Sequence, residues 1–225
     1  MSAAILTGRQ LTRSFGATDA LRGVDIEVDA GEVLAIMGPS GSGKSTLLHC
    51  LAGILRPDAG QVCFAGRRID TLGERARSEL RRQQFGFVFQ FGQLVAELPA
   101  IENVMLPLLL AGRSRSQARE AAAQLLARLD LDGMARRRPG ELSGGQAQRV
   151  AVARALVARP RVIFADEPTG SLDSLAGERV LDLLVDRARE QDASVVLVTH
   201  EARVAAYADR EVIVRDGRIA ALVAP

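Results

Sequence analysis

The stretch that decides the fold is Gly38-Pro39-Ser40-Gly41-Ser42-Gly43-Lys44-Ser45-Thr46. It matches the pattern G-x-x-x-x-G-K-[ST] and lies between a continuous apolar run, 32–37, and a helical pattern, 44–55. Glycines allow such a loop to turn its backbone N–H groups inward around a phosphate, and the following helix adds its positive dipole end. The alternative is a glycine-rich turn that only caps a helix. The strand–loop–helix context favours a phosphate-binding loop.

Lys44 is the only lysine among the 29 basic residues, and all the others are arginine. A compact ammonium on a flexible stem differs in shape and hydration from a broad planar guanidinium. Position 44 is therefore predicted to require lysine. In a phosphate-binding loop, Lys44 would reach the β- and γ-phosphates of a nucleotide, and the Ser45 hydroxyl would be a ligand of Mg²⁺.

Strand-like runs alternate with helical patterns along most of the chain. The patterns predict strands at 21–28, 32–37, 61–65, 85–89, 161–165, 194–199 and 211–215, and helices at 44–55, 74–83, 100–110, 117–129, 144–157, 175–190 and 203–208. This alternation favours an α/β fold with a largely parallel sheet. Because no strand is predicted at 91–160, that stretch is expected to form a helical subdomain inserted into a core of residues 1–90 and 161–225. Residues 1–225 would then be a single domain.

Two adjacent carboxylates, Asp166 and Glu167, follow the apolar run 161–165. An acidic residue at the carboxyl end of a strand faces the crevice where α/β sheets bind ligands. Asp166 suits a water-mediated contact with Mg²⁺, and Glu167 suits the base that polarises an attacking water. By itself the segment could equally be a solvated acidic turn. Its combination with a phosphate-binding loop favours the catalytic interpretation.

The segment Leu142-Ser143-Gly144-Gly145-Gln146, with Gln148-Arg149 and the helical run after it, resembles the signature motif and helix of ABC ATPases. Ser143-Gly144-Gly145 opens a helix, which provides a second anion-binding N-terminus, although Ser143 is also a good N-cap residue. The resemblance implies an enzyme that hydrolyses ATP to ADP and phosphate. It further implies a phosphate-loop NTPase core with a mostly parallel sheet, antiparallel N-terminal β elements and an inserted helical subdomain.

The resemblance extends over nearly the whole chain and implies further site residues. Phe15 stands where the family has an aromatic side chain that stacks on adenine, usually tyrosine; a core or edge-strand aromatic is the alternative. Gln90 is similar to the glutamine that links the γ-phosphate site to a membrane partner, and His200 to the switch histidine that contacts the γ-phosphate. Gly170-Ser171-Leu172-Asp173 resembles the D-loop at the dimer interface. The resemblance implies catalytic roles for Glu167, His200 and Gln90, and Mg²⁺ binding by Ser45, Gln90 and Asp166. The residues that it implies for ATP binding are Phe15, Gly38, Ser40, Gly41, Ser42, Gly43, Lys44, Ser45 and Thr46. Those that it implies at the contact with a second subunit are Ser143, Gly144, Gly145 and Gln146, as the signature acting in trans, and Asp173 in the D-loop.

The family resemblance also implies partners. In ABC ATPases, two ATP-binding subunits, called cassettes, pair head to tail, so that the signature of one faces the phosphate loop of the other across ATP. We therefore expect a homodimer, or a pair with a paralogous ABC ATPase, in the ATP-bound state, and an integral-membrane permease on a separate chain. Ala165 and the segment 102–108 are similar to the lipoprotein-release and macrolide-efflux branch. Ala100, Ala147 and Glu201 depart from the residues usual there.

Composition and charge argue against several other classes of protein. The net charge of +2 is small, which argues against nucleic-acid binding. Cys50 and Cys63 match no metal or redox spacing, as in a reducing cytosol. The first residues lack the pattern of a signal peptide, and the most apolar run, 104–112, is too short to cross a bilayer. A cytoplasmic chain is expected, peripheral on the inner face of the cell membrane through its permease. The alternative, a soluble ABC ATPase acting on DNA or ribosomes, usually carries fused cassettes, a coiled coil or a basic insertion.

Overall fold

The structure, a computed structural model, describes residues 4–223. The chain forms two compact units. One is built from the two ends of the chain, up to Arg81 and from Asp192 onward, and the other from the middle, Arg82–Gln191. Both units combine strands with helices, so the predicted α/β class is confirmed.

The elements are numbered in chain order. The strands are β1 (Ala4–Phe15), β2 (Thr18–Asp29), β3 (Val33–Met37), β4 (Ala59–Phe64), β5 (Arg67–Arg68), β6 (Phe85–Phe89), β7 (Val162–Asp166), β8 (Ser194–Thr199), β9 (Arg210–Arg215) and β10 (Arg218–Val223). The helices are α1 (Lys44–Leu51), α2 (Glu74–Gln84), α3 (Ala100–Leu110), α4 (Arg115–Arg128), α5 (Gly144–Leu156), α6 (Ser174–Glu190) and α7 (Ala202–Ala205), with a short 3₁₀ helix at Pro139–Glu141. None of the helices within residues 4–223 has the length and apolar character needed to cross a bilayer.

The unit formed by the chain ends contains an antiparallel sheet in the order β2-β1-β4-β5. Val24, Ile26 and Val28 of β2 are buried and alternate with exposed residues, as their sequence pattern predicts. This sheet is the antiparallel N-terminal β structure that the family resemblance implies.

The same unit contains strands in the order β10-β9-β3-β8, in which β3 runs parallel to β8 and β9. Every residue of β8 is buried, and so are the first four residues of β3, which explains their uninterrupted apolar sequences. Met37, the last residue of β3, is paired with Thr199, the last residue of β8. The segments that follow these two strands therefore start at the same edge of the sheet.

The middle unit contains the parallel pair β6 and β7, with Phe89 opposite Asp166. The ring of Phe164 packs against those of Phe85 and Phe87, with centroids 5.2 and 5.6 Å apart. Phe85 is buried, as expected for a core residue, while Phe87 and Phe89 are half-buried and stack on each other. Residues 91–160 between the two strands contain helices and no strand, as predicted. The bounds of a separate helical subdomain stay a prediction.

Several element bounds differ from the sequence prediction. Helix α1 ends at Leu51, and α7 is a single turn, so the predicted ranges 44–55 and 203–208 are too long. The sequence patterns predicted no strand at the positions of β1, β5 and β10. The pairing of β1 with β2 changes register at several points, and these irregularities remove the alternation of apolar residues by which strands are recognised.

Candidate nucleotide-binding site

The predicted phosphate-binding loop connects β3 to α1 in the unit formed by the chain ends. Gly38 has a φ of 148° and Gly43 a φ of 104°, conformations that residues with a side chain rarely adopt. A Cβ at Gly38 would overlap the carbonyl oxygen of Val214, and a Cβ at Gly43 would overlap that of Ala20. Both glycines are therefore required by the close approach of neighbouring backbone.

Lys44 is the first residue of α1, and only 7% of its surface is exposed. Its ammonium donates hydrogen bonds to the carbonyl oxygens of Gly38 (2.9 Å) and Pro39 (2.8 Å). Helix α1 has no acidic residue in its first turn and no side-chain cap. The hydroxyl of Ser42 is buried without a hydrogen-bond partner in the described part of the chain. An uncapped helix N-terminus with an unpaired buried hydroxyl has the properties of an anion-binding loop.

His200 follows β8, directly beside the strand that leads into the phosphate-binding loop. Because Met37 and Thr199 are paired, Gly38 and His200 leave the sheet at neighbouring positions. The side chain of His200 is exposed. The structure thus brings the predicted switch histidine and the phosphate-binding loop to one edge of the same sheet.

Phe15 ends β1 at a tight turn and is 47% exposed. The guanidinium of Arg13 lies over its ring, 5.0 Å from the centroid, and is itself held by Asp58 at 2.6 Å. Ala20, just beyond this turn, is the residue whose carbonyl approaches Gly43. Phe15 is therefore placed near the phosphate-binding loop within this unit, with its ring partly exposed rather than in the core.

In the middle unit, Gln90 follows β6 and Glu167 follows β7. Since Phe89 is paired with Asp166, Gln90 and the two carboxylates lie at the carboxyl ends of adjacent strands. Glu167 has a φ of 48°, in the left-handed region, and its carbonyl accepts a hydrogen bond from the Gly170 amide (3.1 Å). The side-chain amide of Gln90 lies so close to Gly170 that a Cβ there would be 2.8 Å from Gln90 Nε2.

The signature residues open α5. The Ser143 hydroxyl accepts a hydrogen bond from the Gln146 amide (3.3 Å), and Gln146 Oε1 accepts one from the Ser143 amide (2.9 Å). Ser143 therefore is an N-cap, as the simpler interpretation of this residue predicted. The cap leaves the amides of Gly144 and Gly145 without intrahelical acceptors, so an anion-binding role remains compatible with it.

The signature and the D-loop share a cavity of about 350 Å³ in the middle unit. It is lined by signature residues 143–146 and D-loop residues 171–173, together with Arg149 and Arg179. Asp173 caps α6, since its side chain accepts a hydrogen bond from the Ala176 amide (2.9 Å). The sequence around Arg179 does not indicate a place in this site, because nothing in its local pattern distinguishes it from a solvated arginine on α6.

The residues predicted to bind Mg²⁺ offer only oxygen ligands: the Ser45 hydroxyl, the Gln90 amide oxygen and the Asp166 carboxylate. These are ligands that Mg²⁺ prefers, and the ion usually takes few of them from protein while substrate phosphates and water complete its shell. Residues 4–223 contain no cluster of three or more His, Cys, Asp or Glu that could hold a metal by itself. The chemistry of each of these donors therefore suits Mg²⁺, and their assignment to the ion stays a prediction.

Comparison with known proteins identifies the family. The family model described as "ABC transporter" matches residues 21–170. The lipoprotein-releasing system ATP-binding protein LolD of Porphyromonas gingivalis is 45% identical over 95% of this chain and 97% of its own length. LolD 2 of Caulobacter vibrioides is 45% identical over 97% of this chain and 98% of its own length.

Solved structures agree with this assignment. The ATP-binding cassette MJ0796, a dimer in a post-hydrolysis state bound to ADP and Pi, is similar with a TM-score of 0.89 and 37% identity, covering 97% of this chain and 98% of that one. CbiO1 from Clostridium perfringens, part of the ABC transporter complex cbiONQ, has a TM-score of 0.89 and 30% identity, covering 99% of this chain and 89% of that one. With its phosphate-binding loop, its acidic strand end and its signature helix in place, this chain belongs to the ABC transporter family, as an ATP-binding and ATP-hydrolysing subunit.

Proposed function

We propose that this chain powers a lipoprotein-releasing system, by hydrolysing ATP as one of a pair of cassettes bound to a permease on separate membrane-spanning chains. The observation that supports this proposal is the similarity to LolD proteins of several bacteria, at 45–46% identity over 95–97% of this chain. Nearly full-length similarity favours the transporter over a soluble ATPase acting on DNA or ribosomes. The small net charge of +2 argues in the same direction.

In the proposed reaction, the phosphate-binding loop holds ATP and Glu167 polarises the attacking water. Backbone amides of residues 38–46 surround the phosphates, and the Lys44 ammonium neutralises charge on the β- and γ-phosphates. His200, exposed at the same sheet edge as Gly38, contacts the γ-phosphate. Ser45, Gln90 and Asp166 are the ligands that the family resemblance implies for Mg²⁺, and the ion would supply further charge neutralisation at the β- and γ-phosphates.

A second cassette completes each site in this proposal. The cavity at the start of α5 offers a helix N-terminus and the guanidinium groups of Arg149 and Arg179, all of which favour an anion. The γ-phosphate held by Lys44 of the opposing cassette is a suitable anion. Its presence keeps the pair closed and its loss opens the pair, which converts hydrolysis into movement. The opposing cassette is a second copy of this chain or a paralogous ABC ATPase.

The segment that follows Gln90 is the proposed contact with the permease. Phe91 is 75% exposed, far more than is usual for a phenylalanine, and Val95 is 39% exposed. The fully buried side chain of Asn103 accepts a hydrogen bond from the Val95 amide (2.8 Å) and donates to the Val95 carbonyl (3.0 Å). Asn103 thus fixes one end of an apolar loop whose other end carries Gln90. Through this contact the subunit would be held on the inner face of the cell membrane.

Reconstitution tests the proposal directly. The chain is co-expressed with the membrane proteins encoded beside it, and the complex is placed in proteoliposomes that contain a lipid-modified protein. We expect ATP-dependent release of that lipoprotein into the aqueous phase, and no release with the Lys44→Ala or Glu167→Gln subunit. A complex that hydrolyses ATP normally but releases no lipoprotein would overturn the cargo assignment, while leaving the ATPase assignment intact.

A further inference from the structure

The loop that carries Gln90 begins at the last residue of β6, and side chains hold it in addition to the backbone hydrogen bonds from Gly92 N to Phe89 O (2.9 Å) and from Gln93 N to Phe91 O (2.7 Å). Within residues 89–93, four backbone carbonyls accept hydrogen bonds from side chains of the middle unit. These bonds are Gln148 Nε2 to Phe89 O (2.9 Å), Ser171 Oγ to Gln90 O (2.8 Å), Arg154 Nη2 to Gly92 O (2.6 Å) and Arg154 Nη1 to Gln93 O (2.8 Å). Three of the four come from α5, the helix that the signature residues begin. The signature helix therefore determines where this loop lies.

The side-chain amide nitrogen of Gln148 donates hydrogen bonds to the backbone at the ends of both β6 and β7. Besides Phe89 O, its Nε2 donates to the carbonyl of Pro168 (2.7 Å), the residue that directly follows Glu167. The side chain is only 2% exposed, and its Oε1 lies against Gly92, where a Cβ would be 3.3 Å away. A buried amide with both hydrogens donated to these two carbonyls fixes the distance between the backbone beside Gln90 and the backbone beside Glu167.

Arg154 is a half-buried cation that donates hydrogen bonds to two backbone carbonyls. Burial lowers the pKa of its guanidinium, so the charged form is disfavoured by its surroundings. Its two short bonds to Gly92 and Gln93 are charge-assisted hydrogen bonds, which are stronger than neutral ones and offset part of that cost. A methionine would fill the same space without the desolvation cost. The charge therefore has a use other than packing.

We infer that Gln148 and Arg154 are positioning residues for ATP hydrolysis: from the signature helix, they hold the backbone that carries Gln90 and Glu167 in the geometry required for turnover. This inference rests on the roles proposed above for Gln90 and Glu167. It links the element that meets the opposing cassette to the two segments that complete the catalytic site. Neither side chain is expected to touch ATP.

The first test concerns Arg154. We expect Arg154→Met to bind ATP within about threefold of the unmodified chain, while kcat falls by on the order of 10²-fold, the usual effect of a misplacement near 1 Å. Arg154→Lys should recover part of the loss, because an ammonium can still donate to one carbonyl. In a Gln90→Ala background, Arg154→Met should cause little further loss, since residues that act as a unit are not additive.

The second test concerns Gln148. Gln148→Met keeps the volume but removes both donors, and Gln148→Glu replaces donors with acceptors that face two carbonyls. We expect both to lower kcat more than they raise the ATP dissociation constant, with Glu the worse of the two. Gln124→Met, at an exposed position on α4, is the matched control and should retain normal kcat.

Parallel measurements on Glu167→Gln and Gln90→Ala separate this inference from the proposed function. If those two variants hydrolyse ATP normally, the proposed catalytic roles are wrong. If they lose turnover while Arg154→Met and Gln148→Met keep it, the positioning inference is overturned. It is also overturned if the Arg154 and Gln148 variants, including Arg154→Lys, lose ATP binding or folding in step with turnover, because their role would then be structural.

Discussion

Lys44 shows at the scale of a single residue how this site is prepared for its ligand. An ammonium has three donors, and two of them are already directed to the Gly38 and Pro39 carbonyls. These bonds stabilise the loop around the lysine and leave one donor for a phosphate oxygen. A guanidinium would need a wider space than the loop closed by Gly38 and Gly43 provides, which accounts for a lysine in a chain that otherwise uses arginine.

We predict that Lys44→Ala abolishes productive ATP binding while the chain still folds. The substitution removes the two hydrogen bonds that this side chain at the start of α1 donates to the Gly38 and Pro39 carbonyls, so the free energy of unfolding should fall by only about 1–2 kcal/mol. Lys44→Arg should also fail to support turnover. Titration with ATP and thermal unfolding of both variants are the measurements. Near-normal turnover by Lys44→Arg would show that the loop does not discriminate between the two cations.

The roles at single residues that the sequence could indicate are those tied to a motif. Lys44, Glu167 and the signature residues occupy positions that their spacing and context suggest. Gln148 and Arg154 could not be found in this way, because their partners are backbone carbonyls far away in sequence, and a carbonyl is present at every residue. A weak signal exists at Gln148, a polar residue on the buried face of α5 beside Ala151, Val152 and Ala155.

At the scale of secondary-structure elements, the sequence predicts buried strands and amphipathic helices best. Strand β8 and helix α3 begin and end at the predicted residues, because each is bounded by a clear change in apolar pattern. Strand β1 has no such pattern: Gly8 and Gln10 lie inside it, and Gln10 has a positive φ. What places β1 is its pairing with β2 and β4, and that information lies in distant parts of the chain.

Helix α2 is predicted to lose stability in acid through Glu74. Hydrogen bonds from Arg81, and next from Arg77, lower the pKa of Glu74 from 4.5 to about 2. Because the folded-state pKa is the lower one, this contribution is complete above about pH 4.5 and is lost as the pH falls towards 2. Arg77 is buried, and its Nε and Nη1 lack hydrogen-bond partners within residues 4–223. Its hydrogen bond from Nη2 to Glu74 is therefore expected to contribute to the stability of α2.

Glu74→Gln should therefore lower the melting temperature at pH 7, and the difference from the unmodified chain should shrink steadily below pH 4.5. Thermal unfolding at several pH values measures this. Glu178→Gln, on the exposed face of α6, makes the same change of charge and serves as the control. A Glu74→Gln effect that is independent of pH would mean that shape, and not charge, stabilises α2.

At the scale of the whole molecule, blocked hydrolysis should reveal the pairing of cassettes. We predict that Glu167→Gln keeps ATP binding and loses turnover by roughly 10²–10⁴-fold, the effect of a positioned base. The ATP-bound homodimer should then accumulate, because the γ-phosphate that joins the two copies persists. Size-exclusion chromatography with and without ATP is the measurement. Substantial turnover would remove Glu167 from its proposed role, and a monomer under all conditions would indicate a paralogous partner.

The exposed loop after Gln90 should determine whether the subunit assembles with its permease. We predict that Phe91→Glu leaves ATP hydrolysis by the isolated subunit nearly unchanged, because the side chain is 75% exposed and contributes little to the core. It should weaken co-purification of the permease, or abolish stimulation by it, since a charge would enter an apolar contact. Leu110→Glu, 63% exposed at the end of α3, is the matched control. Equal impairment of both variants would show that the effect is not specific to this loop.

The left-handed backbone at Glu167 places the stability of the fold and the proposed catalytic role in conflict at one residue. A residue with a side chain pays about 1 kcal/mol to adopt a φ of 48°, and glycine does not. A laboratory selection for heat resistance alone should therefore enrich Glu167→Gly, a more durable subunit that no longer turns over ATP. Glu167→Ala, which removes the same carboxylate but keeps the strain, should melt at a lower temperature than Glu167→Gly. Thermostable variants selected without an activity screen should then carry substitutions at Glu167 more often than at the neighbouring residues.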